Sequence, residues 1–140
     1  MKRAILFYIF LTLPTHALAY QDSASNAKLV SEFYSEIFEN KNINLMNNYI
    51  SKDVMFYNNF DAPANYNTLR NHLLSFDEQC LKCKVLPIDI TLTTKNKVVS
   101  LYTQICTDKS NHINKKRIMA ILEINKENKI STIWVVSHEK

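Results

Sequence analysis

The stretch FYSEIFENKNINLMNNYISKDVMFYNNF, from Phe33 to Phe60, decides the fold. It continues an apolar stripe of Leu29, Val30, Phe33, Tyr34, Ile37 and Phe38, whose three- and four-residue spacing predicts a helix with one face against a core. Asn40, Lys41 and Asn42 interrupt that stripe. Ile43, Met46 and Ile50, with Leu45 and Tyr49 beside them, then predict a short second helix with Asn42 as its N-cap. Past Asp53 the chain turns β-branched and aromatic from Val54 to Asn58, the local chemistry of a strand.

Downstream, Asp61 to Asn67 is a polar loop around Pro63, and Tyr66, Leu69, Leu73 and Phe76 mark a third amphipathic helix ending near Glu78. From Lys84 the period changes to two. Four strand-like runs follow: Lys84 to Thr93, Lys97 to Asp108, Lys115 to Asn125 and Lys129 to His138. A turn at Lys95-Asn96 would set Leu86, Ile88, Ile90 and Leu92 against Ile105, Thr103, Leu101 and Val99, making that side the apolar one. A second turn near Glu127 would gather Ile118, Ala120, Leu122 and Ile124 with Ile130, Thr132, Trp134 and Val136 on one face. The predicted class is α+β: a cone-shaped, curved antiparallel sheet packed against three N-terminal helices.

At the other end, residues 1–19 carry Lys2 and Arg3, an apolar run from Ala4 to Leu13, Pro14 and the triplet Ala17-Leu18-Ala19. This is the pattern of a secretory signal peptide cleaved after Ala19, and it places the mature protein in the periplasm or outside the cell. The apolar run is short for a membrane span, so no stable anchor is expected after cleavage. Taking 19 residues from 140 leaves 121, residues 20–140, the size of a single domain. Loss of Lys2 and Arg3 lowers the formal charge from +4 to +2. The remaining lysines are scattered over turns, which argues against a nucleic-acid partner. The chain has no glycine, which excludes glycine-rich phosphate loops and leaves Asn to close turns such as Lys95-Asn96 and Glu127-Asn128.

The order of elements, carried by FYSEIFENKNINLMNNYISKDVMFYNN and the closing hairpin IMAILEINKENKISTIWVVSH, resembles the nuclear transport factor 2-like superfamily, in particular its SnoaL-like and ketosteroid-isomerase-like branch. The resemblance covers about Asn26 to His138. It implies a pocket between helices and sheet, a dimer paired through exposed sheet faces, and no settled activity, because such folds host enzymes, carriers and binding modules alike. Aligned without gaps to the isomerase pattern, Tyr34 falls on the catalytic tyrosine. Asn58 falls on the general base and Ala120 on the late acid. An amide cannot abstract a proton near neutral pH, so isomerase chemistry is not expected.

The pocket candidates are therefore Tyr34, Phe56, Asn58, Ala120 and Trp134, with His138 at the rim, a set suited to an uncharged, partly apolar ligand. Asn58 is expected to find a partner in Tyr34, water or a ligand, because an unpaired inward amide costs about 1 to 3 kcal/mol. Three readings stay open. One is a non-catalytic binding module for a small apolar molecule or a protein partner. Another is a hydrolase or isomerase using Tyr34 with Asp61 or His138. The third is a cell-envelope or secretion scaffold. Asp61 beside Pro63 is read as turn chemistry, and His72, His112 and His138 lack metal-ligand spacing, so no metal or cofactor is expected. Cys80, Cys83 and Cys106 leave one thiol over from a single bridge, and that bridge is expected to involve Cys106, with Cys83 one diagonal away and Cys80 competing.

Overall fold

Val30, Phe33 and Ile37 are all but excluded from solvent, and with Leu29 and Tyr34 they form the stripe that fastens the first helix to the sheet. In a computed structural model, residues 15–59 and 61–139 are described, with side chains for 24–59, 61–86 and 93–138. The expected signal segment lies mostly outside the described residues. No described helix is long and apolar enough to cross a membrane.

Helix α1 (Thr15–Phe33) runs straight into a π-helical stretch, Tyr34–Glu39. The second helix divides into a 3-10 turn, Ile43–Leu45, and the four-residue α2, Met46–Tyr49. Asn42 does not cap it. Its Nδ2 donates instead to Glu36 Oε2 at 2.7 Å, because the π-helical end brings that carboxylate over the loop. Lys41, with φ 58, turns the chain in the left-handed region. Strand β1 (Ile50–Asn58) begins four residues before the expected Val54, and α3 (Tyr66–Gln79) is capped by Asn65, whose side chain accepts from Thr68 N at 3.1 Å.

The sheet then follows as β2 (Cys80–Thr94), β3 (Lys97–Asp108), β4 (Ile113–Ile124) and β5 (Ile130–Glu139). Its order is β1-β5-β4-β3-β2, antiparallel throughout except that β1 lies parallel to β5. Asn does the work of glycine in the turns: Asn59, Asn111 and Asn128 all hold positive φ. In the last turn Asn125 Oδ1 accepts from the amides of Glu127 and Lys129, both at 3.0 Å.

Two faces differ from expectation. In β3 the buried residues are Val98, Ser100, Tyr102 and Gln104, and Val99, Leu101, Thr103 and Ile105 point the other way. The expected register holds next to the turn, at Leu92↔Val99. Shifts between Ile90 and Leu92 and between Pro87 and Asp89 then carry Leu86 to Thr103 in place of Ile105. In β4 the expected face is the observed one, with Ile118, Ala120, Leu122 and Ile124 buried. In β5 a shift after Ile130 brings Ile133 and Val135 inward, opposite Leu122 and Ala120. Thr132, Trp134 and Val136 therefore face outward.

Candidate functional site

A cavity of about 520 Å³ opens between α3, the π-helical end of the first helix and the inner face of the sheet. Leu69, Leu73 and Phe76 supply one wall from α3, Phe33 and Phe38 close one end, and Ile118, Leu122, Ile133 and Val135 form the sheet side. Because β1, β3, β4 and β5 all contribute, the sheet must curl around the space. The polar groups gather at Asn58, Ser75, Gln79, Asn114, Lys116 and Ser137. Lys41 fixes the far end of α3: its Nζ donates to Asp77 O at 2.8 Å and to Cys80 O, satisfying carbonyls that the helix leaves open.

The polar face of β3 supplies the cavity's inner chemistry. Tyr34 Oη and Ser100 Oγ share a buried hydrogen bond of 2.9 Å, and the Tyr34 and Tyr102 rings pack 4.7 Å apart. Gln104 Nε2 donates to Cys83 Sγ at 3.8 Å. Burial pushes the Tyr34 hydroxyl up to about 12, with its bonds to Ser100 and Tyr102 pulling partly the other way. Burial, reinforced by Tyr34, holds Tyr102 well above its usual value. Both phenols are neutral at physiological pH and serve as hydrogen-bond groups, not as bases. Among the described residues no Asp or Glu lines the cavity. The ionisable side chains that do, besides the tyrosines, are His72 and Lys116.

Solved structures with these elements in this arrangement exist. The chain superposes on SalBIII, described as an epoxide hydrolase/cyclase-like enzyme in pyran ring formation in the polyether salinomycin, with TM-score 0.74 and 12% identity over 84% of this chain and 94% of that one. The fold is SnoaL-like. A protein of Jannaschia sp. CCS1 designated SnoaL-like polyketide cyclase matches at TM-score 0.70 and 7% identity, covering 81% of this chain and 85% of that chain. An LEH-like epoxide hydrolase of M. tuberculosis matches at TM-score 0.67 and 10% identity, over 82% and 84% of the two chains. No protein-family model matches the sequence, and the comparison with curated proteins gives no significant match. At such identities the likeness establishes the SnoaL-like fold and leaves the activity open.

Within that SnoaL-like frame the structure brings Tyr34, Phe56 and Asn58 to the cavity wall. Ala120 is buried at 1% exposure between Ser100 and Val135 in the ladder, beneath the cavity surface. Trp134 lies on the outer face, stacked on Tyr57 at 5.8 Å and 10°, with Lys97 Nζ 5.5 Å from its ring. His138 is exposed and paired with Arg117 on that same outer face. The shift after Ile130 is the reason for both. Asp61 is exposed in the loop after β1, where its amide donates to Asn58 O at 2.9 Å. Neither acid-base candidate reaches the chamber. Tyr34 spends its hydroxyl on Ser100, so it does not meet the Asn58 amide, which shows no side-chain partner among the described residues.

The bridge forms between Cys80 and Cys106 and leaves Cys83 as a thiol, although Cys83 stands opposite Cys106 in the ladder, not on the diagonal. Sequence reasoning missed Ser100, Tyr102 and Gln104 because it assigned β3 the opposite phase. It weighed His72 only for metal-ligand spacing, and that residue lines the cavity with its ring 6.1 Å from Phe56.

Proposed function

We propose that this chain is a binding module that takes a small, largely apolar and uncharged molecule into the cavity. One observation carries the reading: a space of about 520 Å³ walled mainly by aromatic and aliphatic side chains, offering hydroxyl and amide groups beside His72 and Lys116 but no carboxylate among the described residues. That volume lies within the roughly 300 to 1,000 Å³ usual for small-molecule sites. Tyr34 and Tyr102 are held neutral by burial, so they act in the wall as hydrogen-bond groups and do not abstract protons. The structural neighbours are named mostly for cyclase or hydrolase chemistry. Among the described residues no carboxylate lines this cavity, which supports binding over acid-base turnover there. We infer also that binding takes place outside the cytoplasm, a reading supported by the pattern of residues 1–19 and by the Cys80–Cys106 bridge.

Titration with the uncharged fluorescent probe N-phenyl-1-naphthylamine tests the cavity. Leu73→Trp fills it and should weaken binding at least tenfold, whereas Trp134→Phe on the outer face should leave binding unchanged. Equal binding by wild type and Leu73→Trp would sink the proposal. Native mass spectrometry of protein purified from its own source should show a retained apolar molecule of a few hundred daltons.

A further inference from the structure

The three cysteines converge where α3 passes into β2, at one end of the cavity. The Cys80–Cys106 disulfide joins Cα atoms 5.5 Å apart, and both residues line the chamber. Cys83 stands directly opposite Cys106 in the β2–β3 ladder. Opposed residues of an antiparallel pair project from the same face with Cα atoms about 4.5 to 5.5 Å apart, inside the roughly 4.4 to 6.8 Å that a disulfide spans. Cys106 thus has two partners within bonding range. One is joined to it and the other remains a thiol, accepting from Gln104 Nε2 at 3.8 Å.

We propose that Cys80, Cys83 and Cys106 form a thiol–disulfide exchange site, in which Cys106 passes from Cys80 to Cys83 and frees the α3–β2 junction from β3. The step balances without an outside reagent. Cys83 gives its proton to solvent and its thiolate attacks Cys106 Sγ. The electron pair of the old bond leaves on Cys80 Sγ, which takes up a proton. One disulfide and one thiol stand on each side, and nothing is oxidised or reduced overall. After exchange the end of α3 keeps the Lys41 contacts to the carbonyls of Asp77 and Cys80, the Cys80↔Asp108 pairing and the Phe38–Phe76 ring contact, and loses its one covalent tie to β3. The cavity wall that Cys80 and Gln79 supply then loses its covalent tether.

The surroundings set the rate. Burial pushes the Cys83 thiol up to about 11; the Glu39 and Asp77 carboxylates add to this, while the Gln104 hydrogen bond and the Lys41 ammonium oppose it. Tyr102, the remaining titratable group coupled to Cys83, stays neutral throughout the range of interest. Exchange is therefore slow at neutral pH and accelerates about tenfold per pH unit up to that value.

The test uses the full oxidised chain at pH 7.5 and 9.5, quenched in acid, with free thiols capped by N-ethylmaleimide under denaturing acid conditions. Trypsin cuts after Lys82, so Cys80 and Cys83 fall on separate peptides and each pairing has its own mass. The expected result is a Cys83–Cys106 peptide that appears roughly 100-fold faster at pH 9.5, at a rate independent of protein concentration. Cys80→Ala treated with oxidised glutathione should close Cys83–Cys106 and carry no glutathione. Wild type that keeps only Cys80–Cys106 after a day at both pH values overturns the proposal. So does a folded Cys80→Ala protein with glutathione on Cys106 and a free Cys83. If Cys80→Ala fails to fold, the wild-type mapping decides alone.

Discussion

Replacing Tyr34 by Phe removes one oxygen atom from the inner wall, and the structure gives that change a pH signature. At neutral pH the loss leaves Ser100 Oγ, in a residue only 4% exposed, without the partner it holds at 2.9 Å. An unpaired buried hydroxyl costs about 1 to 3 kcal/mol, so Tyr34→Phe should be less stable by that amount at pH 8. Tyr34 ionises near 10 when unfolded and is pushed up to about 12 by burial when folded. Because the folded value is the higher one, the neutral phenol's contribution is intact below pH 10 and drains away as pH rises toward 12. The loss amounts to about 1 kcal/mol by pH 11 and about 3 kcal/mol at the limit. The Phe variant has no such proton, so its disadvantage should shrink from pH 8 to 11 by about 1 kcal/mol. Cys83 is present in both proteins and cancels to first order, whereas Tyr102 loses the part of its upward shift that Tyr34 supplies and so adds to the shrinkage. Urea unfolding followed by the fluorescence of Trp134, the chain's one tryptophan, measures the gap at each pH. A gap that stays constant or widens from pH 8 to 11 would refute the account of Tyr34 as a buried, neutral hydrogen-bond group.

Lys41 holds the end of α3 by two carbonyl contacts while sitting at φ 58. Lys41→Ala should therefore cost about 1 to 3 kcal/mol, and Lys41→Gly about 1 kcal/mol less, because glycine takes that backbone geometry freely; urea midpoints for the pair separate the two effects. Reducing Cys80–Cys106, which closes a separation of 26 residues, should lower stability by about 3 to 4 kcal/mol, seen as a fall in the thermal midpoint with reductant. On the outer sheet face Met119 at 45% exposure, Leu86 at 38% and Ile113 at 65% lie on the side that carries Trp134. Burial of that face between two copies is expected to give a dimer in sedimentation velocity, and Met119→Glu should convert it to a monomer; an unaltered dimer would place the contact elsewhere.

The helices and the strand count were legible because each element announces its period: Leu29 to Phe38 at helical spacing, Tyr66 to Phe76 likewise, and alternation from Lys84 onward. What alternation does not reveal is which of two phases faces inward when both are acceptable. In β3 the odd phase, Val99, Leu101, Thr103 and Ile105, is more apolar than the even one, yet the even one is buried. The inner face borders a chamber where Ser100 meets Tyr34, Tyr102 packs on the same ring and Gln104 meets Cys83, so polarity there is satisfied and not penalised. The outer face can be apolar because a sheet edge-on to a partner, or merely half-exposed, tolerates it. β5 shows a second blind spot. One extra residue after Ile130 turns Trp134 and His138 out of the chamber and Ile133 and Val135 into it, and nothing in the composition of that run marks the shift.

Tyr34 escaped both problems because it lies on the helical stripe, and Phe56 and Asn58 because they follow the irregularity of β1 between Ile50 and Met55, in the part that pairs regularly with β5. The half of the site on the first helix and first strand was readable through the isomerase resemblance, and the half on β3 and β5 was not. That division also explains why the expectation of a chamber wall without an acid survived the errors. Replacing Trp134 and His138 by Ile133, Val135 and Gln104 exchanges a weakly basic and aromatic pair for uncharged groups, and no carboxylate enters from the described residues. The proposed binding role is thus insensitive to the phase of a strand, whereas the catalytic assignment to His138 depended on the phase of β5, and that to Asp61 on a loop after β1.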